Sequence, residues 1–178
     1  LNRYIDVVIP RGGAGLIQYV VENASVPVIQ TGAGVCHTYV DRAADLDKAV
    51  RIVYNAKVRR PSICNALDTL LVHADVAERF LPMMAAEWAK AGVEMRCDAR
   101  SLAILAATSA ICHLQSAIPD DWGQEFLALV AAVKVVDSLD EALEHIYTYS
   151  SQHSEAIVTE DYGAAMTFLA QVDAAAVY

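Results

Sequence analysis

Short apolar runs and amphipathic segments alternate along most of this chain, and the alternation limits the folds open to it. Runs rich in Val and Ile that end at turn residues are typical of buried strands. Strands are predicted at 5–9, 26–29, 37–40, 69–73, 93–96, 133–136, 156–159 and the C-terminal end, and helices at 14–22, 45–60, 76–91, 99–107, 139–149 and 161–171. Such alternation predicts an α/β fold, a mostly parallel sheet with helices on both faces. The segment 108–121 has no clear period, so we expect an irregular excursion there.

Charge, hydropathy and cysteine usage exclude several kinds of function. A formal net charge of −9 argues against nucleic-acid binding, which needs a basic face. No apolar run reaches the roughly 20 residues that cross a bilayer, so we expect no membrane partner. The four cysteines show no CxxC pair and no metal-ligand spacing; they are Cys36, Cys64, Cys97 and Cys112. We therefore expect free thiols in the cytoplasm and no metal site.

Both ends of the sequence suggest a piece of a longer protein. The chain begins at Leu1 without a methionine or a signal peptide and is strand-like by Ile5. It stops within an apparent strand at 174–178. We therefore expect a fragment, and its exposed edge strand predicts a homo-oligomer.

Cys64 comes just after the turn that ends a basic helix. Pro61 lacks an N–H and disfavours helical angles in the residue before it, so the helix must end near Arg60. Free backbone N–H groups beyond the turn can point at the sulfur and at an oxyanion. The nearby cations Lys57, Arg59 and Arg60 favour the thiolate, the form that attacks. These features favour a nucleophile, and a small buried hydrophobe is the alternative.

A glycine-rich turn, Pro-Arg-Gly-Gly-Ala-Gly at 10–15, follows the first predicted strand. A strand, a turn and a helix in succession present N–H groups to an anion, and Arg11 adds positive charge. The spacing is not GxGxxG, so a plain tight turn is an equal alternative. Ligands gather at the carboxyl ends of parallel strands, so we expect 11–15, 30–34 and 159–160 to converge.

Three blocks of the sequence resemble one family. They are Ile-Asp-Val-Val-Ile-Pro-Arg-Gly-Gly-Ala-Gly at 5–15 with 26–29, Asn-Ala-Lys at 55–57 with Arg-Pro-Ser-Ile-Cys-Asn at 60–65, and Gln-His-Ser-Glu-Ala-Ile at 152–157. Nearly the whole chain is similar to the γ-glutamyl phosphate reductases of the aldehyde dehydrogenase superfamily. The resemblance implies the end of a cofactor-binding domain over 1–25. It also implies an aldehyde-dehydrogenase-like catalytic domain over 26–178, truncated at its C-terminus.

The resemblance implies a small-molecule reaction, the NADPH-dependent reduction of L-glutamyl 5-phosphate to L-glutamate 5-semialdehyde and phosphate in proline biosynthesis. Cys64 would attack the acyl phosphate, and hydride from the nicotinamide would reduce the resulting thioester. A thiolate suits both steps, because it is a strong nucleophile and a good leaving group. Most of the NADPH-binding domain would be absent, so we expect the 178 residues alone to be inactive. The pathway also implies functional coupling to glutamate 5-kinase.

The matching positions imply roles for individual residues. Cys64 and Asn65 are the implied catalytic residues, with the Cys64 backbone N–H a candidate oxyanion donor. Arg60 and His153 are implied to bind substrate, although a histidine at a surface corner is also explained as a solvated residue. Glu125 would hydrogen-bond the nicotinamide ribose, and a solvated acid at a helix start is its alternative. The implied cofactor-binding residues are Arg11, Gly12, Gly13 and Glu125.

One departure from the superfamily pattern separates the alternative reactions. Hydrolytic aldehyde dehydrogenases carry a glutamate base in a Glu-Leu-Gly-Gly turn, and this chain has Gln30 at that place. Glutamine cannot accept a proton from water at neutral pH, which favours an acyl-phosphate reductase over a hydrolytic enzyme. A CoA-acylating aldehyde dehydrogenase and a catalytically silent assembly module remain alternatives.

Overall fold

The computed structural model describes residues 2–30, 32–107 and 113–178. Predictions that fall on Leu1, Thr31, Cys112 and the rest of 108–112 lie outside the described residues. The chain divides into two compact units, one up to Ala33 and one from Gly34 onward. The boundary between these units differs from the predicted domain boundary at 25/26, and the functional assignment of the two domains stays a prediction.

In the described part of the first unit, residues 2–30 and 32–33, the chain forms one helix and a single strand-like contact. Helix α1 (Ala14–Asn23) follows the glycine-rich turn, as predicted. The strands predicted at 5–9 and 26–29 are wrong: the two segments form only one parallel bridge, between Val8 and Val28. No further strand pairs with them within the described residues of this unit, and two paired segments alone are marginally stable.

The second unit is built on a seven-stranded sheet in which every pairing is parallel. Its strands are β1 (Cys36–Val40), β2 (Leu67–His73), β3 (Glu94–Cys97), β4 (Leu114–Ser116), β5 (Val130–Val136), β6 (Ser154–Val158) and β7 (Ala176–Val177). Their order across the sheet is β4-β3-β5-β2-β1-β6-β7. The predicted α/β class is confirmed.

Helices cover both faces of the sheet, as predicted. They are α2 (Leu46–Val58), α3 (Ala74–Ala91), α4 (Ala99–Ala106), α5 (Leu139–Tyr149) and α6 (Tyr162–Gln171). The first three contribute to the larger buried cluster, around Leu70 and Phe80, and α5 and α6 to the smaller one, around Leu71 and Phe168. Adjacent residues of β2 point to opposite faces, which is why Leu70 and Leu71 belong to different clusters.

Local sequence signals set the helix ends. Asp45 caps α2 by accepting the Lys48 N–H, and Ser138 caps α5 by accepting that of Glu141. Gly92 ends α3 in the left-handed conformation with φ of 73°. Of the helices that the structure describes, none combines the length and the apolar character needed to cross a lipid bilayer.

The irregular excursion predicted for 108–121 is wrong over its described part. Residues Leu114–Ser116 form β4, and Pro119–Gly123 form a 3₁₀ helix. Strand β4 is a short edge strand whose extended conformation is set by its parallel pairing with β3. A three-residue edge strand is too short to show a period in the sequence.

Candidate active site

The candidate site residues of the second unit lie at one edge of the sheet. Cys64 and Asn65 come just before β2, Glu125 before β5 and His153 before β6. Because the strands are parallel, these loops meet at the amino edge. The 159–160 corner follows β6 at the opposite edge of the sheet from Cys64, and its convergence with 11–15 and 30–34 stays a prediction. In this unit, the loops that enter the strands carry the candidate chemistry.

Cys64 is exposed on a tight loop between α2 and β2. The loop consists of two overlapping turns, with the Ile63 N–H donating to the Arg60 carbonyl and the Ala66 N–H to the Ile63 carbonyl. The main-chain N–H groups of Cys64 and Asn65 make no hydrogen bond among the described residues. The Cys64 thiol is therefore accessible, and the buried-hydrophobe alternative does not apply.

A second cysteine, Cys36, is buried and makes a hydrogen bond to the Cys64 loop. The Cys36 thiol donates to the Cys64 carbonyl oxygen, with 3.3 Å between sulfur and oxygen. Burial, with Glu155 and Asp68 nearby, raises the pKa of Cys36 to about 12, so it stays a protonated donor. The two cysteines thus have different environments, one exposed and one buried.

The basic residues before Pro61 separate into two groups. Lys57, predicted as one of the cations that favour the thiolate, lies in the interior instead of at the surface. Its side chain is fully buried, and Nζ lies 3.5 Å from Asp68 Oδ1. Arg59 and Arg60 are exposed and border a hollow of about 320 Å3.

Asn65 lies between two hollows. It borders the arginine-lined hollow together with Asn55, and it also borders a second hollow of about 240 Å3. The second hollow opens where β1, β2 and β6 begin, and Glu155 and Tyr178 contribute to its lining. Asn65 can therefore contact a molecule in either hollow.

Glu125 is half-buried and fixed by the backbone. Its Oε1 accepts the Gly34 N–H at 2.9 Å, and its other oxygen makes no hydrogen bond in the part of the chain that the structure describes. The 3₁₀ helix before it ends at Gly123, so the alternative of a solvated acid at a helix start does not apply. The carboxylate keeps one oxygen that fits a ribose hydroxyl donor. Leu127, two residues later, has a positive φ of 53°.

His153 is half-buried beside the start of β6. Its Nδ1 lies 2.8 Å from the hydroxyl of Ser154, which borders the second hollow. A substrate-binding role for His153 stays a prediction.

The predicted cofactor-binding residues Arg11, Gly12 and Gly13 belong to the first unit. All three are exposed immediately before α1. Gly12 has a φ of 155°, a backbone conformation that residues with a side chain rarely adopt, which favours glycine there. Their cofactor-binding role stays a prediction.

A buried polar cluster was missed at the sequence level. The Glu155 carboxylate, fully buried, accepts the His37 N–H at 2.8 Å and lies 3.1 Å from His37 Nδ1. The His37 ring meets that of His145 at 5.5 Å between centroids. Burial, with His37 and Lys134 nearby, lowers the pKa of His145 to about 3. The sequence signal for this cluster was an acidic residue, Glu155, within the strand β6, because a buried carboxylate requires polar partners.

Curated relatives match this chain along its whole length. No protein-family model matches it. A γ-glutamyl phosphate reductase of Dehalococcoides mccartyi is 61% identical over 177 residues, which are 99% of this chain and 42% of that protein. The enzyme of the same name from Agathobacter rectalis is 53% identical over 178 residues, 100% of this chain and 42% of that protein. The chain thus spans less than half the length of these relatives.

Solved structures agree with the sequence matches. The crystal structure of γ-glutamyl phosphate reductase from Thermotoga maritima has a TM-score of 0.92 at 49% identity, covering 100% of this chain and 42% of that one. An acetylating aldehyde dehydrogenase from Geobacillus thermoglucosidasius, at 17% identity and a TM-score of 0.72, covers 97% of this chain and 45% of that one and shares the fold. The chain is therefore similar over its whole length to a segment of the γ-glutamyl phosphate reductases, and it has the aldehyde-dehydrogenase-like α/β fold.

Proposed function

We propose that this chain is the thiol-bearing part of a γ-glutamyl phosphate reductase, an oxidoreductase of proline biosynthesis. Its reaction converts L-glutamyl 5-phosphate to L-glutamate 5-semialdehyde and phosphate. The observation that carries the proposal is the exposure of Cys64 at the amino edge, in a chain 61% identical to a reductase of that name.

In the first step the Cys64 thiolate attacks the acyl carbon. A sulfur–carbon bond forms, the bond from that carbon to the phosphate oxygen breaks, and phosphate leaves. The N–H groups of Cys64 and Asn65, which make no hydrogen bond to any described residue, are suited to donate to the oxyanion that forms during the attack. The product of this step is a thioester on Cys64.

In the second step the thioester is reduced to the aldehyde. A bound NADPH supplies the hydride in this proposal. Glu125 would hold the ribose through the carboxylate oxygen that makes no hydrogen bond among the described residues, while its other oxygen accepts the Gly34 N–H. The carbon–sulfur bond of Cys64 then breaks, and the thiolate is regenerated as the aldehyde forms.

The arginine-lined hollow suits the anionic groups of the substrate. Neither Arg59 nor Arg60 forms an ion pair within residues 2–30, 32–107 and 113–178. The asparagines Asn55 and Asn65 border the same hollow and add neutral hydrogen-bonding groups. Arg60 is the proposed ligand for a phosphate or carboxylate group, because a guanidinium binds both bidentately. His153, beside the second hollow, is a proposed substrate contact.

The decisive experiment replaces Cys64 with serine in the protein at the full length of its relatives. Phosphate-dependent reduction of NADP⁺ by glutamate 5-semialdehyde is then measured. We expect activity to fall by about 10³-fold or more, because a serine hydroxyl is a far weaker nucleophile at neutral pH. Ser62→Ala, an exposed position on the same loop, is the matched control and keeps full activity. Retained activity in Cys64→Ser would exclude the proposed nucleophile.

We expect the 178 residues alone to show no catalytic turnover. They cover 42% of the length of the curated relatives, and the proposed hydride donor needs a binding surface larger than Glu125 and the first unit. Sustained NADPH oxidation by this chain on its own would contradict the expectation.

A further inference from the structure

The loop that carries Cys64 is closed at its base by a buried ion pair. Lys57 lies in the last turn of α2, and Asp68 is the second residue of β2. The distance from Lys57 Nζ to Asp68 Oδ1 is 3.5 Å, and the two side chains are 0% and 2% exposed. The ten residues between them include the whole Cys64 turn. The pair therefore joins the two ends of the loop.

The contribution of a buried ion pair to folding stability does not by itself explain why Lys57 and Asp68 are paired here. Burial lowers the pKa of Lys57 and raises the pKa of Asp68, so the surroundings oppose both charges while their mutual attraction supports them. Apolar residues of similar volume often stabilise a core as well as a buried ion pair does. A role in fixing local geometry explains the pair better.

Asp68 extends the contact to the segment that carries Glu125. The oxygen that faces Lys57 also accepts the Phe126 N–H at 3.1 Å. The Phe126 ring lies near two cations, with Lys57 Nζ 5.9 Å and the Arg96 guanidinium 5.1 Å from its centroid. Arg96 is itself ion-paired with the buried carboxylate of Asp121, which lies in the 3₁₀ helix just before this segment. Segment 124–127 is thus fixed at Phe126.

The chain of contacts returns to Cys64. Glu125 accepts the Gly34 N–H, and Gly34 lies directly against the main chain of Cys64. Lys57, Asp68, segment 124–127, Gly34 and the Cys64 loop therefore form a closed circuit within the second unit. A shift at the ion pair would be transmitted to both sides of the candidate site.

We propose that Lys57 and Asp68 are a positioning pair that sets the Cys64 thiol relative to the Glu125 carboxylate. Neither residue touches the reacting atoms. The tasks of Cys64 and Glu125 rest on the proposed function, whereas the positioning rests on the contacts alone. The test therefore uses readouts that do not need turnover.

The first readout is amide hydrogen exchange in this chain. In Lys57→Met, Asp68 loses its partner, and we expect amides of 59–66 to exchange about tenfold faster or more, because the loop opens locally. Asp68→Asn keeps an oxygen for the Phe126 N–H, so 124–127 should change less than in Asp68→Leu. The matched control is Lys48→Met, on the same helix, whose lysine forms an exposed pair with Glu160 at 2.8 Å.

The second readout is the alkylation rate of individual cysteines by iodoacetamide, followed by peptide mass spectrometry. Cys97 is fully buried and reports global opening, whereas Cys64 reports the loop. We expect a changed Cys64 rate at an unchanged Cys97 rate in Lys57→Met. Parallel changes at both cysteines would mean a general loss of stability and would overturn the proposal.

The double variant Lys57→Met/Asp68→Leu covers the case in which a single variant does not fold. It buries no unpaired charge, so it is expected to fold. The proposal requires faster exchange at 59–66 and 124–127 in this variant as well. Exchange equal to that of the unsubstituted chain would overturn it. Faster exchange in the double variant, together with full activity in Cys64→Ser, would overturn the proposed function. The proposal that Lys57 and Asp68 position the loop would still stand.

Discussion

Gly34 packs so closely against Cys64 that a Cβ atom on residue 34 would lie 1.9 Å from the Cys64 carbonyl oxygen. The same Cβ would lie 2.7 Å from the carbonyl carbon. Both atoms belong to the main chain, so the clash cannot be relieved by a rotamer change. The position of the candidate nucleophile therefore depends on the absence of a side chain 30 residues earlier in the sequence.

Gly34→Ala is expected to displace the Cys64 loop. Overpacking of this kind costs about 1–3 kcal/mol of unfolding free energy, and a backbone clash belongs at the upper end. Urea unfolding and the Cys64 alkylation rate measure the two effects. The control is Gly32→Ala, where an added Cβ meets nothing within 4 Å. Equal unfolding midpoints for the two variants would show that the loop tolerates the displacement.

Helix α2 shows what sequence patterns predict well. Asp45 at its N-terminus and Pro61 beyond its C-terminus are local signals, and the helix begins and ends within two residues of the prediction. Strands were predicted less reliably than this helix from local signals. The segments 5–9 and 26–29 have strand-like composition, but strand formation requires neighbours that a local pattern does not specify.

The candidate site was predicted less completely because its contacts are distant in sequence. Cys64 was identified from its own neighbourhood. The Gly34–Glu125 hydrogen bond joins residues 91 positions apart, and no local pattern encodes it. Lys57 was counted with Arg59 and Arg60 among the cations that favour the thiolate because all three lie within a few residues of Cys64. Its burial depends on the position of Asp68, which only the fold determines.

His145 is expected to make stability depend on pH. Its folded-state pKa is lowered to about 3 by burial, with repulsion from His37 and Lys134, whereas the unfolded value is 6.5. Below pH 6.5 the unfolded chain therefore binds a proton that the folded chain does not. The stabilisation is complete above pH 6.5 and is lost as the pH falls toward 3.

The variant His145→Phe isolates this effect. Between pH 7.5 and 5.5 the wild-type chain should lose about 1.4 kcal/mol of unfolding free energy relative to the variant. Phenylalanine keeps an aromatic ring beside Trp122 and Tyr149, whose centroids lie 5.4 and 4.7 Å from that of His145. Urea titrations at both pH values provide the measurement, with His113→Phe at an exposed site as control. The same pH dependence in all three proteins would refute the prediction.

Arg60→Ala is expected to weaken binding of the anionic substrate. Losing one charge-assisted contact to phosphate raises the KM for phosphate in the reverse reaction by about tenfold or more. Arg51→Ala, an exposed arginine on the preceding helix that borders other hollows, is the matched control. Both variants are assayed in the protein of full family length at two salt concentrations. Equal KM values for the two variants would assign the effect to general surface charge.

Glu125 offers a test that separates cofactor binding from local structure. Glu125→Gln keeps an oxygen for the Gly34 N–H but loses the negative charge, so stability should be unchanged. Binding of NADPH, measured by equilibrium fluorescence titration at full family length, should weaken by about tenfold because the ribose loses a charged acceptor. Glu125→Ala should in addition lose about 1–3 kcal/mol of unfolding free energy, since the buried Gly34 N–H is left without an acceptor. Glu144→Gln, at an exposed helical position, serves as control. If Glu125→Gln binds NADPH as tightly as that control, Glu125 supports the Cys64 loop without contacting the cofactor.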